Sequence, residues 1–275
     1  MTLMTPTIAS ALRAFALPRL ESRLLLMHVV PDLTHARIVA YPEHELQSGV
    51  YAAFCRLAQR RVDGEPLAYL LGQREFYGRP FAVSPSVLIP RPETEHLVEA
   101  ALARQGRGPA QVLDLGCGSG AIAVTLALEA PQWQVTAVDL SPDALAVARG
   151  NAERLQATVR FHQGSWFEPL ASSACFDLIV SNPPYIAAQD HHLGEGDVRF
   201  EPRMALTDGA DGLSCLRAIA AGAPSRLQPG GWLMVEHGYD QGEAVRALFL
   251  AQGLQQVETL PDLAGLDRVT LGRRC

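Results

Sequence analysis

Lysine is absent from this 275-residue chain: all 23 basic side chains are arginine, and 29 acids bring the net charge to −6. A phosphate loop of the Gly-Lys-Ser/Thr type therefore cannot exist, which excludes ATP binding by that route. No polybasic tract is present to neutralise a nucleic-acid backbone, so direct nucleic-acid binding is not expected. The five cysteines (Cys55, Cys117, Cys175, Cys215, Cys275) are odd in number and show no C-x-x-C spacing. That pattern argues against a disulfide framework and against a zinc site, and predicts no bound metal and a reducing, cytoplasmic setting. Long apolar runs are missing as well. The stretch 121–128 falls far short of a membrane span, and the N-terminus carries Pro6 with no basic leader, so neither membrane insertion nor secretion is expected.

What is present divides near residue 86. Up to Ser86 there are 9 arginines against 7 acids, giving +2, and the remainder carries 14 against 22, giving −8. The first part reads as helices over residues 8–17, 20–30 and 43–62, with a short helical segment around 67–71. In the third, acids near the start and Arg56, Arg60 and Arg61 near the end complement the helix dipole. Phe76-Tyr77-Gly78-Arg79-Pro80-Phe81-Ala82-Val83 predicts two short strands about a Gly-Arg turn. The expected organisation is a helical domain over 1–74, a β-hairpin linker over 75–86 and a second domain over 87–275.

From Arg91 onward strands alternate with helices. Strands are predicted at 111–115, 134–138, 158–162, 176–181, 232–236, 255–259 and 268–271, and helices at 92–104, 121–129, 142–155, 213–227 and 241–252. Such alternation implies an α/β domain with a parallel sheet covered on both faces, whose ligand sits at the carboxyl ends of the strands. Gly116-Cys117-Gly118-Ser119-Gly120 follows the first of these strands and allows close backbone approach to a ligand. Asp139 ends the next and can accept both hydroxyls of a ribose. The pair indicates a nucleoside cofactor and leaves NAD and S-adenosylmethionine equally open, because Gly116-x-Gly118-x-x-Ala121 also fits a dinucleotide fingerprint.

Asn182-Pro183-Pro184-Tyr185, directly after the apolar strand ending at Ser181, is the most informative motif. Proline fixes φ, lacks an N–H and restricts its predecessor to extended conformations, so the Asn182 side chain and the Asn182 and Pro183 carbonyls can be held outward. Those oxygens suit a flat NH2 group, and Tyr185 offers a π-face for the planar amide or base that carries it. The competing reading is a plain strand-terminating turn.

The chain resembles the Asn-Pro-Pro-Tyr class of S-adenosylmethionine-dependent methyltransferases, and within it the HemK-type peptide chain release factor glutamine methyltransferases. The resemblance is carried by Gly64-Glu65-Pro66-Leu67-Ala68-Tyr69, Gly72-Gln73-Arg74-Glu75-Phe76-Tyr77-Gly78, Leu88-Ile89-Pro90-Arg91-Pro92-Glu93-Thr94-Glu95, Asp197-Val198-Arg199-Phe200-Glu201-Pro202 and Asp211-Gly212-Leu213. It implies a Rossmann-like, seven-stranded class I methyltransferase domain with a small N-terminal helical domain and a linking hairpin, and the mildly positive N-terminal domain is expected to dock the substrate protein. It implies S-adenosylmethionine bound by Gly116, Cys117, Gly118, Ser119, Gly120, Asp139, Trp166 and Asn182, and released as S-adenosylhomocysteine. The acceptor glutamine, in the Gly-Gly-Gln motif of class 1 release factors, would be held by Asn182, Pro183, Pro184 and Tyr185, with Asn182, Pro183 and Tyr185 catalytic. Cys117 departs from the commoner threonine, and a role through its backbone makes the swap a small one. A monomer is expected.

Each remaining candidate has a plainer rival. Trp166 alone would read as core packing; His191-His192, adjacent in sequence, would point different ways and read as a solvated loop rather than a metal site. Asp114 reads as a loop-stabilising carboxylate, Glu236-His237 as structural, and the acidic stretch 186–212 as a lid or as disorder. The alternative functions are methylation of a ribosomal-protein glutamine, methylation of a nucleic-acid adenine, and a non-catalytic nucleotide-binding module.

Overall fold

The computed structural model describes residues 5–106 and 108–275. It separates into two compact units, 1–72 and 73–275.

The first unit is five helices: α1 (Ile8–Arg13), α2 (Arg19–Val29), α3 (His35–Ala40), α4 (Ser48–Val62) and α5 (Leu67–Leu71). Thr7 and Ser10 form a capping box on α1, and the Thr34 hydroxyl accepts the Arg37 N–H at 3.2 Å to start α3, an element not expected from the sequence. The helix predicted from residue 43 begins only at Ser48. Residues 44–46 give their backbone groups to the N-terminal segment instead: Glu45 bridges Thr7, and the Leu46 N–H donates to the Pro6 carbonyl at 2.8 Å. Buried Leu25, Leu26, Phe54 and Ala58 form the core, with Phe15 edge-on to Phe54.

The second unit opens with a hairpin, β1 (Gln73–Phe76) and β2 (Arg79–Ala82). Its turn is Tyr77-Gly78, both at positive φ, rather than Gly78-Arg79. The Glu95 carboxylate accepts the Tyr77 N–H and Glu75 that of Gly78, which holds Tyr77 in a conformation a bulky residue rarely adopts. Phe76 and Phe81, fully buried and edge-to-face, belong to this unit's core.

After a 3-10 turn at Pro92–Thr94 come α6 (Glu95–Gln105), β3 (Ala110–Leu115), α7 (Ala121–Glu129), β4 (Trp133–Asp139), α8 (Pro142–Leu155), β5 (Val159–Gln163) and β6 (Phe176–Ser181). The short α9 (Arg203–Leu206) and α10 (Ser214–Gly222) precede β7 (Leu227–Glu236), α11 (Gly242–Ala251), β8 (Gln255–Pro261) and β9 (Asp267–Arg273). The helix expected to reach residue 227 stops at Gly222 because Pro224 enters a 3-10 turn, which frees residues 227–231 for β7.

The seven strands run in the order β5-β4-β3-β6-β7-β9-β8. Six of them point the same way; β9 is antiparallel to both neighbours, since the few residues between β8 and β9 are too short for a crossover. Alternate residues feed two cores: Val112, Ala137, Val180 and Met234 on one face, Leu113, Val138, Ile179 and Val235 on the other. Strand order reverses between β3 and β6, and that reversal point opens a crevice for ligands. Among the described residues no helix is long and apolar enough to cross a membrane.

Candidate active site

The carboxyl ends of β3, β4 and β6 surround a cavity of about 350 Å3. On one wall β3 runs into a turn whose Gly116, Gly118 and Gly120 all have positive φ. The Gly116 and Cys117 N–H groups donate to the Val138 carbonyl at 2.8 and 3.1 Å, clamping the turn to β4. A side chain at Gly120 would also press on Ala148 of α8, at 3.1 Å.

Asp139 closes β4. Its Oδ2 accepts the Gly118 N–H at 2.8 Å and its Oδ1 the Ser141 N–H at 2.9 Å, so the carboxylate is fixed with lone pairs to spare. Burial raises its pKa, and backbone N–H groups from Ser141, Gly118 and Leu140 oppose that rise. Trp166, at φ 44°, lines the cavity beside Gly116. Asp114 is wholly buried; its Oδ2 accepts the Ala123 N–H at 3.1 Å, its Oδ1 has no partner among the described residues, and burial pushes its pKa up to about 7.

On the opposite wall, the Ser181 hydroxyl donates to the Leu115 carbonyl at 2.6 Å and locks the end of β6 to that of β3. Asn182 follows. Its side-chain NH2 donates to the Thr94 hydroxyl oxygen at 3.1 Å, which leaves Oδ1 as its free acceptor. Asn182, Pro184 and Thr94 line the cavity; Pro183 is buried behind them. Tyr185 packs against the second core and donates its hydroxyl to Glu236 at 3.3 Å, so its phenol is anchored inward. Burial, with the charge of Glu236 next, pushes the Tyr185 hydroxyl pKa well up. The Tyr185 carbonyl accepts from Gln241 Nε2 at 2.9 Å, and the same nitrogen reaches the Gly212 carbonyl at 3.3 Å.

The segment 186–212 supplies a third wall through residues 202–208. The Ile186 N–H donates to the Leu206 carbonyl, and Asp208 accepts the N–H groups of Ala210, Gly212 and Ser214. Buried Glu201 accepts the Ile89 N–H at 2.9 Å and pairs with Arg91, tying this segment to the one before α6. Met204, Thr207 and Asp208 reach the cavity.

Cys117 lines the cavity with a buried thiol whose pKa is pushed up, chiefly by burial, and a neutral thiol is a poor nucleophile. His237 is buried between Gly238 and Thr270, away from the lining. His191 and His192 do not diverge as adjacency suggested. They sit on an exposed 3-10 turn with ring centroids 4.0 Å apart, both facing Asp190. The sequence pointed to no role for Thr94, and for Glu236 a structural role was favoured over a place near the site; the one signal for Thr94 was its position in the Arg91-to-Glu95 segment.

A family model described as a methyltransferase domain matches residues 108–261, and one described as the PrmC N-terminal domain matches residues 7–72. The chain is 56% identical over 258 residues to a protein of Neisseria gonorrhoeae named release factor glutamine methyltransferase, covering 94% of each. A protein of the same name from Bordetella pertussis is 56% identical over 257 residues, 93% of this chain and 95% of the relative. Among solved structures, a methyltransferase from Pyrococcus furiosus superposes with a TM-score of 0.55 at 20% identity, over 78% of this chain and 95% of that one, a likeness of fold.

Proposed function

The chain belongs to the family of release factor glutamine methyltransferases, and from that premise we propose that its cavity methylates the side-chain amide nitrogen of a glutamine in class 1 peptide chain release factors, with S-adenosylmethionine as donor. The observation that carries the reading is Asn182: one N–H of its amide is spent on Thr94, which fixes the orientation of the group and leaves Oδ1 as the acceptor for an incoming amide at the cavity wall.

The residues present fit the donor. Asp139 keeps unused lone pairs for two ribose hydroxyls, the glycine turn brings bare backbone to the cavity, and Trp166 supplies an apolar wall for a base. The cavity volume lies in the range of small-ligand sites. When bound, the donor supplies a sulfonium-activated methyl group and a thioether leaving group.

An amide nitrogen is a weak nucleophile because its lone pair is delocalised into the carbonyl. Asn182 Oδ1 and the Pro183 carbonyl accept the two hydrogens of the acceptor NH2 and aim the nitrogen. As positive charge develops on it these hydrogens become better donors, so both bonds strengthen toward the transition state. Pro184 and residues 202–208 exclude water around the reacting atoms, and the surplus proton passes to solvent after transfer. Asn182 and Pro183 thus act by position and electrostatics, with no covalent intermediate on the protein.

Incubation with S-adenosylmethionine and purified release factor, followed by peptide mass spectrometry, should place a single methyl on one glutamine. Label found instead on a ribosomal protein or on nucleic acid would refute the substrate assignment.

A further inference from the structure

Glu236 ends β7 with its side chain wholly buried and does not itself line the cavity, yet the hydroxyls of Tyr185 and of the lining residue Thr94 lie beside it. Tyr185 donates to Oε1 at 3.3 Å, and both the Thr94 and the Tyr185 hydroxyls favour its charged form. Among the described residues its Oε2 has no hydrogen-bond partner. An ionised carboxylate can only accept, so a hydroxyl turned toward it must spend its single proton there. A Thr94 hydroxyl so committed offers only lone pairs on its other side, which is where the Asn182 NH2 arrives at 3.1 Å. The direction of each bond is therefore set by the group behind it.

We propose that Glu236 and Thr94 are positioning residues that fix which way the Asn182 side-chain amide faces: the buried carboxylate holds the Thr94 proton, Thr94 must then accept from Asn182, and Asn182 Oδ1 is turned to the acceptor nitrogen. Reversal of this chain would present NH2 to NH2, two donors that cannot bond. The inference rests on the amide-methylation reading above and adds to it the device that orients the gripping oxygen.

The charge on Glu236 is then a control point. Burial pushes its pKa up to about 7, opposed by Thr94, Arg268 of β9 and Tyr185 and reinforced by Glu93. The carboxylate is the orienting form, present above that pH and lost as pH falls through it. A protonated Glu236 can donate to Thr94, which frees the Thr94 proton to seek Asn182 Oδ1.

Glu236→Gln keeps the side-chain shape but supplies donors. It should lower kcat by about 100- to 1,000-fold, the loss typical of one missing hydrogen-bonding group aimed at developing charge. Affinity for S-adenosylmethionine should hold within about twofold. The acid limb of the kcat–pH profile, centred near pH 7 in the native enzyme, should vanish in this variant. Thr94→Val should lose activity likewise, and Thr94→Ser, which keeps the hydroxyl, should restore it; this pair carries the test if Glu236→Gln does not fold. Native kcat in Glu236→Gln or in Thr94→Val overturns the relay, as does an acid limb that persists in Glu236→Gln. A readout free of catalysis separates the two readings. The Asn182 side-chain amide resonances, observed without any methyl acceptor, should titrate near pH 7 and shift in Thr94→Val. Unmoved resonances overturn the relay, whereas moved resonances with no methyl transfer to a release factor leave the relay standing and overturn the reaction.

Discussion

Asp139 and Asn182 stand at the ends of β4 and β6, on either side of β3 and its glycine turn, and their different hydrogen bonds imply different losses when each is removed. Asn182→Ala deletes the free acceptor oxygen and should abolish turnover while calorimetry finds donor affinity nearly unchanged. Asp139→Ala should do the reverse in binding, weakening donor affinity by about 1–3 kcal/mol, the scale of charge-assisted hydrogen bonds. Equal effects on binding would merge the two roles. Both residues were legible in the sequence because a strand-end acid and an Asn-Pro-Pro-Tyr run announce themselves locally. Tyr185 was legible only in part: its ring was expected to face the ligand, whereas its hydroxyl is anchored on Glu236, 51 positions along the chain, through a contact no local pattern encodes.

At the scale of elements, the segments that shape the site are held by backbone bonds to distant carboxylates and amides. Gly212 is the sharpest case: at φ +81°, a Cβ there would lie 2.5 Å from the Tyr185 carbonyl oxygen and 3.0 Å from Gln241 Nε2. Gly212→Ala should cost about 1–3 kcal/mol by thermal or denaturant unfolding, through strain and overpacking. Because it pushes on Tyr185 it should also lower kcat, and a variant with native stability and rate would show that this approach does not shape the motif. Helix limits show the same dependence on partners. Residues 43–47 have the composition of a helix start, but Thr7 and Pro6 claim their backbone groups, and the helix waits for Ser48. Strands β3, β4 and β6, apolar on both faces, were legible within a residue or two because burial from two sides writes itself as a continuous hydrophobic run.

Over the whole molecule, the first unit has its own core and the second has two more, one on each face of the sheet. A chain of residues 73–275 retains the glycine turn, Asp139, Asn182 and the hairpin with its buried Phe76 and Phe81. It should fold and bind the donor with native affinity, yet fail to methylate an intact release factor, since we assign docking of the protein substrate to the mildly positive first unit. Full activity of the shortened chain on the intact protein would contradict that assignment.

Composition, strand–helix alternation and two strand-end motifs were enough, read along the chain, to define an α/β domain with a nucleoside-cofactor site, exclude a Walker-type ATP site and single out Asp139 and Asn182, while the methyltransferase reading came from the resemblance. Those properties depend on neighbours within a few residues, where φ restriction, side-chain period and donor–acceptor inventory act directly. Tertiary structure alone decided that Thr94 takes the Asn182 NH2, that Glu236 lies behind Thr94 and Tyr185, and that Gln241 holds the Tyr185 carbonyl. Each joins residues dozens of positions apart, and a hydrogen bond's direction is settled by whatever buried group stands next in space.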